Sequence, residues 1–285
     1  MFTLNCKGRL LVIDEPVVMG IINVTPDSFY SGSRQSSIDA VLKQADKMLA
    51  EGATILDIGG QSTRPGSEAI SADTELQRVV PAIEAIVSRF PYSYISVDTY
   101  QAEVAAAAVA AGACIVNDIS GGEMDAEMIE TVALLRVPYI AMHIKGTPET
   151  MQQNAQYENV TREVLDYFIK KTEQCRIAGI NDVIVDPGFG FAKTIQHNFT
   201  LLKDLSVFKI LQKPVLVGLS RKATIYKTLG TSAEDALNGT TVLNTIALLN
   251  GANILRVHDV KEAKEVVKLI GALKAPSNSS EGGRF

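Results

Sequence analysis

Short apolar segments recur along the chain, and each follows a glycine that ends a stretch of helical periodicity. The clearest examples are the segments 50–59, 110–119, 177–186 and 249–259. Glycine adopts the left-handed conformation that ends a helix without steric cost. A short run that is apolar at every position is typical of a parallel strand buried on both faces. The pattern therefore predicts helices that alternate with parallel strands.

Extended over the whole chain, the pattern predicts eight strands with helices between them. The strands are expected near 17–24, 54–59, 94–98, 114–119, 138–143, 182–186, 214–220 and 254–258. The helices are expected near 37–50, 72–89, 101–111, 125–136, 160–178, 196–204, 239–250 and 260–273. These units indicate an α/β fold, a single (β/α)8 TIM barrel, which takes roughly 250 residues. An open doubly wound sheet is the alternative, but its usual G-x-G-x-x-G turn does not follow the first strand.

One domain is expected over residues 1–275, because no linker or change in composition divides the chain. The segment before residue 16 is predicted to form a short hairpin or plug. The polar, Gly- and Ser-rich residues 276–285 are predicted to be a disordered tail.

The net charge of −5 disfavours a general binder of nucleic acids or anionic membranes, which needs a basic surface. It is compatible with a small anionic substrate held by a few cations in a cleft. The cysteines Cys6, Cys114 and Cys175 are widely spaced, which favours reduced core thiols over a metal site or disulfides. No segment approaches the roughly 20 apolar residues of a membrane span, so a cytoplasmic protein is expected.

Polar residues stand where the predicted strands end, and in a TIM barrel the active site lies at that rim. Among them are Asn23, Asp57, Asp98, Asn117, His143, Asp186, Lys222, Arg256 and His258. Such a mixed ring is costly unless a polar ligand or mutual pairing satisfies it. Thr99, Asp118 and Asp259 each precede a helix, so a structural role is favoured for them. His143 is expected to be a core histidine.

Two chemical groups can be separated at this rim. Asp98, Asn117 and Asp186 suit a flat heterocycle such as a pterin or purine, because a carboxylate accepts two parallel hydrogen bonds from a guanidine-like edge. The second group suits a phosphate or diphosphate, and consists of Arg64, Lys222, Arg256 and His258 with the hydroxyls of Ser62 and Thr63. Neither group is specific alone. Together they suggest a substrate with a heterocycle at one end and a diphosphate at the other.

The order of the motifs resembles that of the dihydropteroate synthase family. The matching segments are MGIINVTPDSF (19–29), DIGGQSTRPG (57–66), SVDT (96–99), VNDISGG (116–122), MH (142–143), VDPGFGFAKT (185–194), VGLSRK (217–222) and RVHDV (256–260). The resemblance implies a TIM-barrel transferase that joins 6-hydroxymethyl-7,8-dihydropterin diphosphate to p-aminobenzoate, with release of pyrophosphate, in folate biosynthesis. It also implies an SN1-like step, a Mg²⁺ cofactor, a homodimer and inhibition by sulfonamides.

The resemblance also implies roles for individual residues. Asp98, Lys222 and Arg256 are the expected catalytic residues. The pterin is expected to bind Asp98, Asn117, Asp186 and Lys222, with Met142 in the pocket. Arg256, His258 and Thr63 are expected to hold the diphosphate, and Asn23 the Mg²⁺ ion. Phe29, Arg64 and Pro65 are expected to shape the p-aminobenzoate site.

The chain departs from the family pattern at three positions. Ser31 stands where an acidic residue is common, Gln61 where glutamate is usual, and Ala223 where serine is frequent. The first change puts carboxylate help to Mg²⁺ from that loop in doubt, although Asp27 remains. The departures at Ser31 and Ala223 leave open a pterin-binding barrel without catalytic activity. A corrinoid methyltransferase barrel, which binds methyltetrahydrofolate in a similar pocket, is a second alternative, but it has no diphosphate to hold, so the segments STRPG, SRK and RVHD argue against it.

Overall fold

In the computed structural model, which describes residues 1–25, 34–63 and 66–275, the chain begins with an antiparallel hairpin. Strands β1 (Phe2–Cys6) and β2 (Arg9–Ile13) are joined by Lys7 and Gly8, both with positive φ. Such two-residue turns match the twist of the flanking strands. The buried side chains of the hairpin pack on the first residues of the barrel strands, such as Ile55 and Ile254. The hairpin therefore plugs the N-terminal end of the barrel, as predicted.

Eight parallel strands form the barrel. They are β3 (Val17–Asn23), β4 (Ile55–Gly59), β5 (Tyr94–Asp98), β6 (Ile115–Asp118), β7 (Tyr139–Met142), β8 (Val183–Asp186), β9 (Leu216–Val217) and β10 (Ile254–Val257). Neighbours in sequence are neighbours in the sheet, and β10 lies between β9 and β3. A parallel bridge between Val185 and Val215 joins β8 to the segment before β9 and closes the ring. The predicted barrel is confirmed.

The outer layer consists of helices α1 (Arg34–Ala50), α2 (Ala72–Arg89), α3 (Ala102–Ala111), α4 (Met128–Leu135), α5 (Val160–Ala178), α6 (Ile195–Lys203), α7 (Ala223–Leu229), α8 (Leu237–Leu249) and α9 (Val260–Lys274). Local signals define their ends. Asn159 caps the first turn of α5 by accepting from the Arg162 backbone, and the left-handed Gly179 ends that helix. Within the described residues, no helix is long and apolar enough to cross a membrane.

Two details differ from the sequence prediction. Strand β9 has two residues instead of the segment 214–220, because its pairing with β10 covers only Leu216 and Val217. Helix α7 and a 3-10 helix over Leu205–Leu211 were not predicted. The architecture brings the carboxyl ends of all eight strands to one rim, where the predicted site residues lie.

Candidate active site

Arg256 links two carboxylates at the centre of the rim. Its Nε donates to Asp57 Oδ2 over 2.6 Å, and its Nη2 donates to Asp98 Oδ2 over 2.5 Å. Asn117 Nδ2 donates to the same Asp57 oxygen over 3.1 Å. These four side chains come from β4, β5, β6 and β10, so strand order alone brings them together. Mutual pairing thus satisfies much of the charge that the sequence places here.

Two carboxylates, those of Asp57 and Asp98, share the single guanidinium group of Arg256. Burial raises the pKa of the Asp98 carboxyl to about 7, Arg256 opposes this shift, and the Asp57 carboxylate adds to it. Asp57 is fully buried, and its Oδ1 atom has no hydrogen-bond partner among the described residues. Asp57 and Asp98 therefore offer buried acceptor atoms at the rim, which suit a ligand that carries several N–H donors.

Asp186 and Lys222 form a second part of the site, on the far side of the rim. Asp186 ends β8, is 6% exposed, and its Oδ1 accepts from the Gly188 backbone over 2.8 Å. Lys222 precedes α7, and its Nζ donates to the Phe189 carbonyl. Burial raises the pKa of Asp186, while Lys222 opposes this shift. Burial lowers the pKa of Lys222 to about 8, while Asp186 opposes that shift. Each group thus favours the charged form of the other.

A glycine in the loop after β8 makes room for the Lys222 side chain. A Cβ at Gly190, which has a φ of +83°, would lie 3.1 Å from Lys222 Cδ. The ammonium group stands 4.7 Å above the centroid of the Phe191 ring. An aromatic face attracts a cation at this distance. The motif glycine therefore allows the lysine to cross the loop that follows β8.

Arg221 and His258 flank the same part of the rim. The left-handed Arg221 forms an ion pair of 2.9 Å with Asp259 and donates to the carbonyls of Ala233 and Glu234. It therefore holds its loop and does not point at a ligand. His258 Nδ1 lies 3.0 Å from Ser220 Oγ. This contact orients the ring beside Arg256, two positions earlier on β10.

Met142 contributes to an apolar wall at the same rim. It is 3% exposed and clusters with Ile119, Ile144, Met151 and Ala192, against which Phe191 packs. A wall of this kind beside convergent polar groups is typical of a ligand pocket. Met142 thus lies at the end of β7, as the sequence predicts, and packs on the loop that follows β8.

Asn23 and Asp98 approach each other across Gly59. A Cβ on Gly59 would lie 3.6 Å from Asp98 Oδ2 and 3.7 Å from Asn23 Oδ1, so the two oxygens converge there. The described residues contain no cluster of three or more His, Cys, Asp or Glu suited to a metal ion. Mg²⁺ usually takes one or two protein oxygens and completes its shell with substrate phosphates and water. The donor set therefore fits the predicted cofactor.

The described structure brings most of the predicted site residues to one rim. Asp98, Asn117, Met142, Asp186, Lys222, Arg256, His258 and Asn23 all lie there, with the half-buried Thr63 on the loop after β4. Phe29, Arg64 and Pro65 lie outside the described residues, as do Asp27 and Ser31. For those residues the assignments remain predictions.

The residues expected to be structural have structural partners. Asp118 accepts from Tyr139 and from the backbone of Ser120 and Gly122, each over 2.7 Å. Thr99 donates to Glu75. Asp259 stands at the start of α9 without capping it, and binds Arg221 instead. All three cysteines are buried and free.

At two of the unusual positions the structure shows the local environment. Gln61 is 8% exposed, and its Nε2 donates to Tyr100 Oη over 2.6 Å. Ala223 is the first residue of α7 and is half-buried beside Lys222.

Sequence reasoning placed Asp57 at the rim but gave it no role in binding or catalysis. It lies in the middle of the apolar strand β4, and its partner Arg256 lies 199 positions away. Glu75 was also missed, because it lies inside α2 and reads as an ordinary helix residue. It is buried under the loop after β4 and accepts from Thr99 and Gln101.

The fold and the rim thus define a barrel enzyme with a site for a planar, hydrogen-bonding ring and a neighbouring anion. The family of pterin binding enzymes matches residues 19–258 of the sequence. The dihydropteroate synthase of Escherichia coli (strain K12) is 44% identical over 279 residues, which cover 96% of this chain and 98% of that protein. The chain belongs to the pterin binding enzyme family, and its relatives there are dihydropteroate synthases.

Solved structures agree with this assignment. The Yersinia pestis dihydropteroate synthase in complex with a sulfonamide drug has a TM-score of 0.89 and 40% identity, covering 95% of this chain and 98% of that one. The Xanthomonas albilineans dihydropteroate synthase with 4-aminobenzoic acid has a TM-score of 0.89 and 39% identity, covering 96% and 98%. The family predicted from the motif order is therefore confirmed, and the corrinoid methyltransferase and non-catalytic alternatives lose support.

Proposed function

We propose that this chain condenses 6-hydroxymethyl-7,8-dihydropterin diphosphate with p-aminobenzoate to give 7,8-dihydropteroate and pyrophosphate. The observation that carries the proposal is the position of Asp98, Asn117 and Asp186 on the same rim as Lys222 and Arg256. Acceptors and cations then face one substrate that has a heterocycle and a diphosphate. The names of the relatives support the same reaction.

The carboxylates and the amide would recognise the pterin. Asp186 is buried and held by the Gly188 backbone, so its free lone pairs can accept from the amino group and ring N–H of the pterin. Asn117 supplies an amide fixed by Asp57. Met142 and its apolar neighbours would cover one face of the ring. A ring oriented in this way would have its exocyclic methylene near Asp98 and Arg256.

Lys222, Arg256, His258 and Thr63 would hold the diphosphate. In the reaction, the bond between the methylene carbon and the diphosphate oxygen breaks, and its electron pair leaves with pyrophosphate. The cationic groups stabilise the negative charge that develops there. Asp98 and the electron-rich pterin stabilise the methylene cation. The nitrogen of p-aminobenzoate then donates its lone pair to the methylene carbon and loses a proton.

Mg²⁺ is part of the proposal, with Asn23 Oδ1 as the residue that would hold it beside the diphosphate. Bound there, the ion would supply further charge stabilisation to the leaving oxygens.

Phe29, Arg64 and Pro65 remain the expected contacts of p-aminobenzoate. A cytoplasmic location is also proposed, because three widely spaced cysteines suit a reducing compartment.

A homodimer is proposed through α8 and α9, which pack side by side away from the rim. The sequence pattern gave no clear interface stripe, but the two helices expose large apolar side chains. They are Val242, Ile246 and Leu249 on α8 and Leu269 and Leu273 on α9. Their spacing of three or four residues places each set on one helix face. Exposed apolar patches of this kind mark contact surfaces, and a second copy of the chain is the proposed partner.

Sedimentation velocity tests the dimer. A double variant Val242→Glu/Leu269→Glu should sediment as a monomer, whereas Ile177→Glu, on the exposed face of α5, should leave a dimer. A wild-type monomer at micromolar concentration would contradict this part of the proposal.

Kinetics of two aspartate variants test the pterin assignment. Asp186→Asn should raise the KM for the pterin diphosphate by at least about tenfold, since an amide N–H replaces one acceptor oxygen. Asp182→Asn is the matched control, because Asp182 directly precedes the same strand at its opposite end and accepts from the Asn5 backbone. The control should keep the wild-type KM. Equal KM values for all three proteins would contradict the assignment of Asp186.

A further inference from the structure

Lys193 carries a buried ammonium group whose hydrogen-bond partners are all uncharged. The residue is 4% exposed, and its Nζ lies 3.0 Å from His143 Nδ1, 3.3 Å from the His143 carbonyl and 3.0 Å from the Phe191 carbonyl. None of the ion pairs found in residues 1–25, 34–63 and 66–275 includes it. A methionine would fill similar space without the cost of burying a charge. Packing alone does not account for this lysine.

The acceptors of Lys193 belong to two different segments of the rim. His143 directly follows β7, and Phe191 lies in the loop between β8 and α6. The two segments touch backbone to backbone at Gly188, which has a φ of +73°. A Cβ at Gly188 would clash with the His143 carbonyl and lie 3.3 Å from Lys193 Nζ. The ammonium group therefore sits where the loop after β8 rests on the end of β7.

The same loop holds the two residues that face the pterin. The Gly188 backbone donates to Asp186, and the Phe189 carbonyl accepts from Lys222. The Phe191 ring, whose carbonyl Lys193 binds, lies below the Lys222 ammonium group. A displacement of this loop would thus move Asp186 and Lys222 together.

We propose that Lys193 is a positioning residue for the pterin end of the site: it fixes the loop after β8 on His143 and so sets the geometry of Asp186 and Lys222. The inference rests on the proposed function, and Lys193 itself does not touch the substrate. Burial lowers the pKa of Lys193 to about 7, while the charge of Asp186 opposes this shift. An ionised Asp186, which the pterin requires, thereby also favours the ammonium form of Lys193.

Calorimetric binding of the pterin diphosphate, together with steady-state kinetics, tests the role. Lys193→Met should weaken pterin binding by about tenfold, the loss expected when hydrogen bonds from a charged group disappear. The KM for p-aminobenzoate should change less than about twofold, because the variant alters the binding geometry at the pterin end of the site only. Lys193→Arg should recover part of the pterin affinity, since it keeps the charge.

Lys171→Met is the matched control. Lys171 is a buried lysine on α5, 3% exposed, and it binds Glu123 in the loop after β6 and Gln174 on its own helix, not the loop after β8. This variant likewise replaces a buried lysine by methionine, but it should keep the wild-type pterin affinity. Unfolding in urea measures the stability of both variants.

The outcomes separate the inference from the proposed function. A folded Lys193→Met protein with wild-type pterin affinity overturns the inference, as does an equal weakening in Lys171→Met. If Lys193→Met does not fold, His143→Leu decides, because it removes one acceptor of the same ammonium group and should weaken pterin binding in the same direction. Wild-type protein that binds the pterin without turnover contradicts the proposed function alone. Wild-type protein that does not bind the pterin contradicts both.

Discussion

Arg256 on β10 and Asp98 on β5 are joined by a hydrogen bond of 2.5 Å, although 158 positions separate them in the chain. The same guanidinium binds Asp57 on β4. Three strands thus hold one cation between two carboxylates at the centre of the rim. Since Asp98 and Arg256 are both expected to act in the reaction, the closed barrel itself orients the catalytic pair.

This relationship predicts that Arg256 supports stability as well as activity. Arg256→Met should lower the free energy of unfolding by about 3 kcal/mol, because two buried carboxylates lose their shared cation. Unfolding in urea measures the change. Arg176→Met removes an exposed ion pair with Glu173 and should leave stability close to that of the wild type, because solvent screens such pairs. Similar values for the two variants would contradict the account of Arg256.

Glu75 should make stability depend on pH. Burial raises its pKa from 4.5 to about 6, against hydrogen bonds from Gln101 and Thr99. Because the folded-state pKa is raised, the stability contributed by this group is present below about pH 4.5 and lost as the pH rises through about 6. Between pH 4.5 and 7, wild-type protein should lose about 2 kcal/mol relative to Glu75→Gln.

Urea unfolding at several pH values measures this difference. The amide oxygen that Glu75→Gln introduces can still accept from Thr99 and Gln101, so the comparison isolates the titration of the carboxyl group. Glu84→Gln, at an exposed position of the same helix, should follow the wild-type curve. Parallel curves for wild type and Glu75→Gln would contradict the prediction.

The sequence predicts the barrel because its strands are short, apolar and bounded by glycines. The predicted segments 94–98 and 160–178 coincide with β5 and α5 to the residue. Helix α7 was missed because seven residues are too few to display a helical period. Strand β9 was predicted too long, because apolar residues continue beyond Val217 as the chain leaves the sheet.

The site was predicted as a set of strand-end residues, but its pairings were not. Asp98, Asn117 and Asp186 lie at or next to the ends of parallel strands, so they share one rim for any conformation of the loops. That Arg256 would bind Asp57 depends on strand order around the closed ring, which no local pattern contains. The burial of Lys193 likewise depends on the loop after β8 resting on β7, a contact across 50 positions.

Removal of Mg²⁺ should abolish turnover. With the metal chelated, pyrophosphate release should fall to background and return when Mg²⁺ is added in excess, since the leaving diphosphate loses charge stabilisation. Asn23→Ala should raise the Mg²⁺ concentration for half-maximal activity by at least about tenfold. Asn5→Ala, at the plugged end of the barrel, should behave as wild type. Full activity without the metal would contradict the proposed cofactor.

Sulfonamides should inhibit this chain by competing with p-aminobenzoate. The Yersinia pestis relative, of very similar structure, forms a complex with a sulfonamide drug. The expected result is a rise in the apparent KM for p-aminobenzoate without a change in kcat, because the inhibitor occupies only that subsite. Initial rates at several concentrations of both compounds measure it. Turnover unaffected by a high excess of sulfonamide would refute the prediction.

Pyrophosphate release by the wild-type protein tests the central claim most directly. The assay contains the pterin diphosphate, Mg²⁺ and p-aminobenzoate, with Lys222→Ala measured beside it. The account predicts release that requires p-aminobenzoate, matches the amount of 7,8-dihydropteroate formed and collapses in the variant. No release from wild-type protein that still binds the pterin would contradict the proposed synthase and leave a pterin-binding barrel without this activity.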